Sequence, residues 1–207
     1  IITFTTDWGL QDHYAAVVKA IIAKELPEVR LIDISNQAPV FDIVQASFIL
    51  RNAWPYFPKG SIHIVSVNAE ASIETPHILI KYQGQYFIGA DNGLFSLLFD
   101  ESPESIIELE IIQDSDIYTF PARDVFAKTA IHIARGKDLH ELGNPKNTLN
   151  EKLAFTPVVL KNAIKGKIIY IDHYENLITN ISMVLFKKQL KNKGFQIVAL
   201  EKNDDSK

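Results

Sequence analysis

Up to Val67 the chain alternates between strand and helix patterns, and that alternation leaves few folds open. Ile1 to Thr5 is a short β-rich run. Tyr14 to Leu26 sets Val17, Val18, Ile21 and Ile22 at helical spacing and stops at Pro27. Val29 to Ile34 is strand-like again. Ile43 to Trp54 then carries Ile43, Ala46, Ile49, Leu50 and Ala53 on one helical face, with Pro55 just beyond, and Ser61 to Val67 is a third strand. Strands joined by helices pair in parallel and are covered on both faces, so the pattern predicts an α/β domain with a mostly parallel sheet.

Beyond Val67 the texture changes. His77 to Tyr82 and Gln85 to Ile88 are β runs joined by Gln83-Gly84, a hairpin signal. Gly89-Ala90-Asp91-Asn92-Gly93 reads as a loop before a short helix near Leu94 to Phe99. Ile106 to Ile112 reads as a strand, and Val125 to Ala134 as a helix stopped by Gly136. Turn formers cluster in Gly143-Asn144-Pro145-Lys146-Asn147-Thr148, which marks a linker. The strand runs Lys167 to Ile171, Leu177 to Ile181 and Phe195 to Leu200 follow, and then a polar tail, 201–207. The expected division is an α/β domain at 1–145 and a small β domain at 157–207.

Composition narrows the partners. The 207 residues are 47% apolar and 22% charged, an ordinary globular balance. Twenty-one Lys and Arg against 25 Asp and Glu give a net charge of −4 without a basic block, which disfavours nucleic acid and anionic membranes and favours a small-molecule ligand. The absence of cysteine removes disulfides, thiolate metal sites and cysteine nucleophiles, and permits a cytoplasmic address. No run approaches the length of a membrane span. No His, Asp and Glu group shows metal-ligand spacing, so no metal is expected.

In Thr5-Thr6-Asp7-Trp8-Gly9-Leu10-Gln11-Asp12 two carboxylates stand where the first strand feeds the first helix. Carboxylates there can accept from a sugar diol or hold an ammonium group, and Gly9 lets the backbone turn beside them. On spacing alone, the commoner job of such an Asp is to cap the helix that begins near His13.

Six strings decide between these readings. Thr5-Thr6-Asp7-Trp8-Gly9, Ile32-Asp33-Ile34-Ser35, Phe57-Pro58-Lys59-Gly60-Ser61-Ile62-His63, Gly89-Ala90-Asp91-Asn92-Gly93-Leu94, Thr119-Phe120 with Arg123-Asp124-Val125-Phe126, and Ile171-Asp172 with Asn176-Leu177-Ile178-Thr179-Asn180-Ile181 occur in one order. This order resembles the S-adenosylmethionine (SAM) hydroxide adenosyltransferase family, the SAM hydrolases, whose relatives include the SAM-dependent fluorinase and chlorinase. The resemblance runs to about Leu200.

The resemblance implies an α/β N-terminal domain, a smaller β-barrel-like C-terminal domain, and a homotrimer that binds SAM between one subunit's first domain and its neighbour's second. It implies no cofactor, because SAM is itself the substrate or ligand. Asp7 would accept from the two ribose hydroxyls, Asp12 would support it, and Phe41 would pack on the ligand. Asp172 would face the methionine ammonium, while Tyr174 and Asn176 would stack on and hydrogen-bond the adenine. Phe120 and Ala122 match halide-pocket positions of the halogenating relatives, although nothing in the sequence selects a halide.

The family reaction is attack of water-derived hydroxide on the ribose 5′ carbon with departure of neutral methionine. Family hydrolases handle the water with an Asp opening an Asp-Pro-Gly-Val-Gly loop, an Arg seven residues later and a His in Thr-Phe-His-Gly-Arg-Asp. Here those catalytic positions are Asn68, Thr75 and Pro121. Asn68 can hold a water but is no base near neutral pH, and Pro121 has no polar side-chain atom. Glu70 and Glu74 in the same loop read first as solvated charges. Family members also continue past Leu200 with a strand pair that grips the methionine carboxylate, so the small β domain is expected to be incomplete or truncated.

Other residues have plain readings. His63 alternates with apolar neighbours in a strand, His132 sits within a helical apolar run, and both read as packed or surface side chains; Trp8 shields the ligand or fills the core; the Asp91-Asn92-Gly93 turn reads as structural. His13 and His173 match no family role. Three functions are then open: a SAM hydrolase-like enzyme with altered water handling, a non-catalytic binder of SAM or adenosine, and a structural trimer that binds nothing. The matching of Asp7, Asp12, Asp172 and Asn176 together disfavours the last, and the enzyme leads.

Overall fold

A computed structural model of the chain describes residues 1–111, 119–152, 155–191 and 194–199. It divides into two compact units, Ile1–Ala154 and Phe155–Lys207. The first holds a seven-stranded sheet built from β1 (Ile2–Thr6), β2 (Leu31–Ser35), β3 (Ile62–Ser66), β4 (His77–Tyr82), β5 (Gln85–Ala90), β6 (Ser105–Leu109) and β7 (Gly143–Pro145), in the order β2-β1-β3-β5-β4-β6-β7. The run β2-β1-β3-β5 is parallel throughout. β4 is antiparallel to β5 and to β6, so β6 regains the common direction, and β7 at the edge opposes it. Five of seven strands therefore run one way.

The side-chain alternation of the strands sorts the core into two layers. Ile2, Phe4, Ile64, Leu79 and Ile88 face α1 (Tyr14–Glu25) through Val18 and Ile22, and α4 (Ala127–Ala134) through Ala130 and Ile131. Val65, Ile78, Ile80 and Phe87 face the other way, onto α2 (Ile43–Arg51) through Ala46 and Leu50, and onto α3 (Leu94–Leu98) through Leu94 and Phe95. Helices thus cover both faces, as the β-α-β-α-β pattern requires. Gln83 and Gly84 both take positive φ, 48° and 75°, which is the two-residue turn whose twist matches its strands.

The Gly143–Thr148 segment is not a linker. Its first three residues pair with β6, Leu109 opposite Gly143 and Ile107 opposite Pro145. Glycine is required there, since a Cβ on Gly143 would lie 1.9 Å from the Glu108 carbonyl oxygen. Proline is tolerated because the strand is an edge. The chain stays with the first unit as far as Lys152, whose N–H donates to Ser96 Oγ at 2.9 Å. The loop expected at Gly89-Ala90 is instead the end of β5. The strand expected to reach Ile112 is seen as Ser105–Leu109, with Ile112 itself outside the described residues.

The second unit departs further from expectation. It contains β8 (Val158–Val159) paired with β9 (Ile164–Lys165), β10 (Ile168–Ile171) paired with β11 (Leu177–Thr179), and a helix, α5 (Met183–Leu190). Each sheet has two strands, and among the described residues none closes a barrel. No element is expected for this segment from sequence, yet Ser182 caps the helix by accepting from Leu185 N, and the run 183–190 consists largely of good helix formers. Phe195 to Ala199 forms no strand, and Leu200 and the tail 201–207 lie outside the described residues. No described residue of this unit is fully buried. Isolated two-stranded sheets are marginal without a face to pack on.

On the Phe87 side of the sheet sits His63, fully buried between Thr3 and Gln85 and stacked on Phe87 at 4.6 Å. The Gln85 Oε1 atom only accepts, so His63 Nε2–H donates to it at 2.8 Å, which leaves Nδ1 to accept from the Thr3 hydroxyl at 2.7 Å. Both bonds suit a neutral ring. Burial pushes its pKa down from 6.5 to about 4, against the raising effect of Gln85. His77 is lowered too, by burial, with its bond to the Ala69 carbonyl opposing. An unfolded chain takes these protons near pH 6.5 and the folded one refuses them, so stability is intact above about pH 6.5 and falls as pH drops toward 4. For His63 alone the loss reaches about 3 kcal/mol. Urea midpoints between pH 7 and 5 are expected to decline, and His63→Asn to reduce that decline; a stability that rises on acidification through this window would contradict the assignment.

Candidate active site

The chain leaves β1 through α1 to reach β2 on one side, then passes through α2 to β3 on the other. The strand order therefore reverses between β1 and β3, and the crevice outside their carboxyl ends is where open α/β sheets bind ligands. Asp7 follows β1 directly, and Val67-Asn68 follows β3. Asp7 N donates to Ser66 O at 3.4 Å, and Gly9, at φ 74°, donates to Asn36 O at 2.7 Å. The Thr6 hydroxyl donates to Asn36 Oδ1 at 2.9 Å. Three strand ends are tied together at this point.

The Asp7 carboxylate is held by backbone. Its Oδ2 accepts from Phe41 N at 2.9 Å and, at the long limit, from Asn68 N at 3.5 Å. Both donors sit in the left-handed region, Phe41 at φ 62° and Asn68 at φ 47°. For Phe41 that conformation is costly, and backbone strain of this kind gathers at functional sites. The loop is set by Asp42, which caps α2 by accepting from Val44 N and Gln45 N at 3.0 Å each. Leu10, Val40 and Phe41 stand exposed on the loops flanking Asp7.

Neither Asp7 nor Asp12 caps α1, contrary to what spacing alone suggests. The residue at the cap position is His13, which makes no side-chain capping bond and stacks on Tyr14 at 4.7 Å. Asp7 is committed to the loops from β3 and α2, and Asp12 is exposed on the bend before the helix.

An aromatic group lies beside the same strand end. Trp8 meets Phe120 edge-on at 5.9 Å, Tyr14 meets Phe120 at 5.2 Å, and the Arg123 guanidinium lies 5.5 Å from the Phe120 ring centre. Arg123 Nε and Nη2 each donate to an Asp124 carboxylate oxygen at 2.7 Å. Pro121 is buried at the head of a π-helical turn, Ala122–Phe126, that runs into α4. The helix thus begins before Val125, through a wide turn of a kind often found at functional sites.

The loop that follows β3 is pinned from outside. Asn92 Nδ2 donates to Val67 O at 3.0 Å and to Asn68 O at 2.9 Å, and His77 Nε2 donates to Ala69 O at 2.9 Å. Asn150 Nδ2 donates to Glu74 O at 2.5 Å and to Asp91 O at 2.6 Å. Thr75 bonds Ser72 within the loop, hydroxyl to hydroxyl at 2.9 Å. Glu70 and Glu74 are exposed. Asp91 is fully buried; burial raises its pKa, while Asn150 N at 2.9 Å and Lys146 Nζ at 3.5 Å oppose the rise.

The second unit carries its own group. On the loop between β10 and β11, Asp172 Oδ1 accepts from Tyr174 N at 2.9 Å and Asn176 N at 2.8 Å, and Oδ2 accepts from Asn176 Nδ2 at 2.8 Å. These bonds, that of the Asn176 side chain first, hold the Asp172 carboxyl below the usual range. Tyr174 is 83% exposed, and Glu175 makes the turn at φ 64°. Asp7, Phe41 and Asn68 therefore meet at one strand end with Trp8 and Phe120 nearby, while Asp172, Tyr174 and Asn176 share one hairpin loop. Among the described residues no cluster of three or more His, Asp or Glu side chains is arranged to hold a metal ion, and no helix is long and apolar enough to cross a membrane.

Sequence reasoning passed over Asp42 and read Asn92 only as a turn former. The signal for Asp42 was an acidic residue directly before an apolar helical face; for Asn92 nothing local marks two carbonyls 24 and 25 residues away.

Comparison with known proteins fits this geometry. Residues 2–143 match the family model described as SAM hydroxide adenosyltransferase N-terminal domain. A Thermus thermophilus protein named (R)-S-adenosyl-L-methionine hydrolase is 32% identical over 190 residues, 86% of this chain and 73% of that protein. A protein named fluorinase, from an Actinoplanes species, is more distant at 22% identity, over 87% of this chain and 71% of its own length. The crystal structure of an uncharacterized conserved protein from Thermotoga maritima superposes with a TM-score of 0.83 at 31% identity, over 91% of this chain and 74% of that one. By sequence and by fold, the chain belongs to the SAM hydroxide adenosyltransferase family.

Proposed function

We propose that the chain is a SAM hydrolase-like enzyme. Water-derived hydroxide attacks the ribose 5′ carbon, the C5′–S bond breaks, and the electron pair stays on sulfur. The products are adenosine and neutral methionine, and the proton from water passes to solvent. The observation that carries this reading is Asp7, a carboxylate fixed at the switch point of a fold whose relatives include named SAM hydrolases. With Oδ2 engaged by Phe41 and Asn68, Oδ1 accepts from the ribose diol.

Phe41 packs on the ligand, Asp12 supports the ribose end, and Trp8 and Phe120 shield the reacting carbon from bulk water. Asp172 pairs with the methionine ammonium, Tyr174 stacks on adenine, and Asn176 bonds its edge. A sulfonium leaving group departs neutral and needs no acid, so alignment and water exclusion are the main tasks. Asn68 orients the water, Thr75 and Pro121 contribute no base, and turnover is slow.

The two groups of ligand residues belong to different compact units, and we assign them to one site completed across subunits of a homotrimer. Among the described residues of the second unit none is fully buried, which supports packing against another surface. A reaction that consumes SAM needs the SAM pool, which supports a cytoplasmic address. The substitutions at Asn68, Thr75 and Pro121 favour a second reading, a binder of SAM or adenosine without catalysis. Formation of adenosine and methionine in equal amounts from SAM tests the first against the second.

A further inference from the structure

We propose that Asn92 is a positioning residue that builds the Asp7 site through the backbone of Asn68. This inference rests on the hydrolase reading above. Asn92 commits both ends of its side-chain amide to the task. The two N–H bonds of Nδ2 go to Val67 O at 3.0 Å and Asn68 O at 2.9 Å, and Oδ1 accepts from Leu94 N at 3.2 Å at the start of α3. That helix is anchored by Leu94, Phe95 and Leu98, all buried in the core. The residue before Asn92, Asp91, is itself bonded by Asn150, so the Asn92 backbone has little freedom.

The consequence falls on Asn68. Drawing two successive carbonyls toward Asn92 fixes the peptide planes on either side of Asn68 and holds it at φ 47°. In that conformation its N–H points at Asp7 Oδ2. A chain of bonds therefore runs from the α3 end of the core, through Asn92 and the Asn68 backbone, to the carboxylate that also receives Phe41 N. His77 adds a parallel tie at Ala69 O. Where Asn68 offers no base, the fixed backbone of the loop still supplies an N–H to Asp7 Oδ2.

Asn92→Asp isolates the effect. It keeps the shape and the acceptor for Leu94 N, loses both donors, and sets a negative charge against two carbonyls. Asn92→Ser is a second variant, still able to accept from Leu94 N but too short to bridge both carbonyls. In the full chain, both are expected to speed hydrogen exchange at the Asn68 amide relative to core amides such as Ile64. Both are also expected to raise KM for SAM about tenfold, the worth of one charge-assisted hydrogen bond, while the lost bonds lower the unfolding midpoint without preventing folding. Asn52→Asp, which removes a similar bond to Phe48 O far from the crevice, should leave both readouts unchanged. Wild-type exchange at Asn68 together with wild-type KM in either folded variant overturns the proposal. If the wild-type chain does not act on SAM, the hydrolase reading fails, and the exchange rates alone still decide the role of Asn92.

Discussion

Replacing Asn68, Thr75 and Pro121 together by Asp, Arg and His is expected to raise kcat for adenosine release by about 10²–10⁴, the usual worth of positioned acid–base assistance. The scaffold tolerates each change separately. Asn68 sits at φ 47°, where Asp is accommodated about as well as Asn, so the N–H on Asp7 survives. Thr75 loses its bond to the Ser72 hydroxyl, a cost of about 1 kcal/mol. Pro121 lies at φ −61°, open to histidine, although its buried position must accept a larger polar ring beside Phe120. Residues that act as a unit are strongly non-additive, so each single substitution should gain much less than the triple change. Kinetics on all four variants decide it. Equal gains from one substitution and from three would show that the three positions do not work together.

Asp7→Ala should abolish stabilisation of the fold by SAM and by adenosine. For the wild type, ligand at a hundredfold its Kd adds about 2.7 kcal/mol to the native state, several degrees in Tm for a chain of this size. Removing the carboxylate takes away the acceptor proposed for the ribose diol. It also strips Phe41 N and Asn68 N of their partner while both remain in left-handed conformations. The unliganded protein should therefore lose about 1–3 kcal/mol as well. Asp7→Asn separates the two effects, since an amide oxygen still accepts from Phe41 N, so it should keep most of the stability and lose most of the ligand response. A full ligand shift in Asp7→Ala would remove Asp7 from the site.

Much of the fold was legible because its signals are local. Val18 and Ile22 recur at helical spacing and are buried, Gln83-Gly84 can only be a tight turn, and Gly136 at φ 67° stops α4 as expected. The misreadings arose where tertiary pairing overrides composition. Gly143-Asn144-Pro145 has the residues of a linker and becomes an edge strand because β6 offers it a ladder. Met183 to Leu190 is assigned no element from sequence, and the Ser182 cap of its helix is a one-residue clue. At the site, the motif string around Asp7 pointed to the right place, yet its hydrogen-bond partners come from Phe41 and Asn68, 34 and 61 residues away. Such distant partners leave no periodic trace in a sequence. The role of Asn92 was invisible for the same reason.

If water attacks the ribose 5′ carbon of SAM on this protein, the oxygen it delivers can be traced. Incubating the protein with SAM in ¹⁸O-labelled water, against a protein-free control, should give slow release of adenosine and methionine in equal amounts, faster than spontaneous decay, with the label in the adenosine 5′ hydroxyl. Adenosine formation no faster than in the control, by protein that measurably binds SAM, would contradict it and leave the binding module.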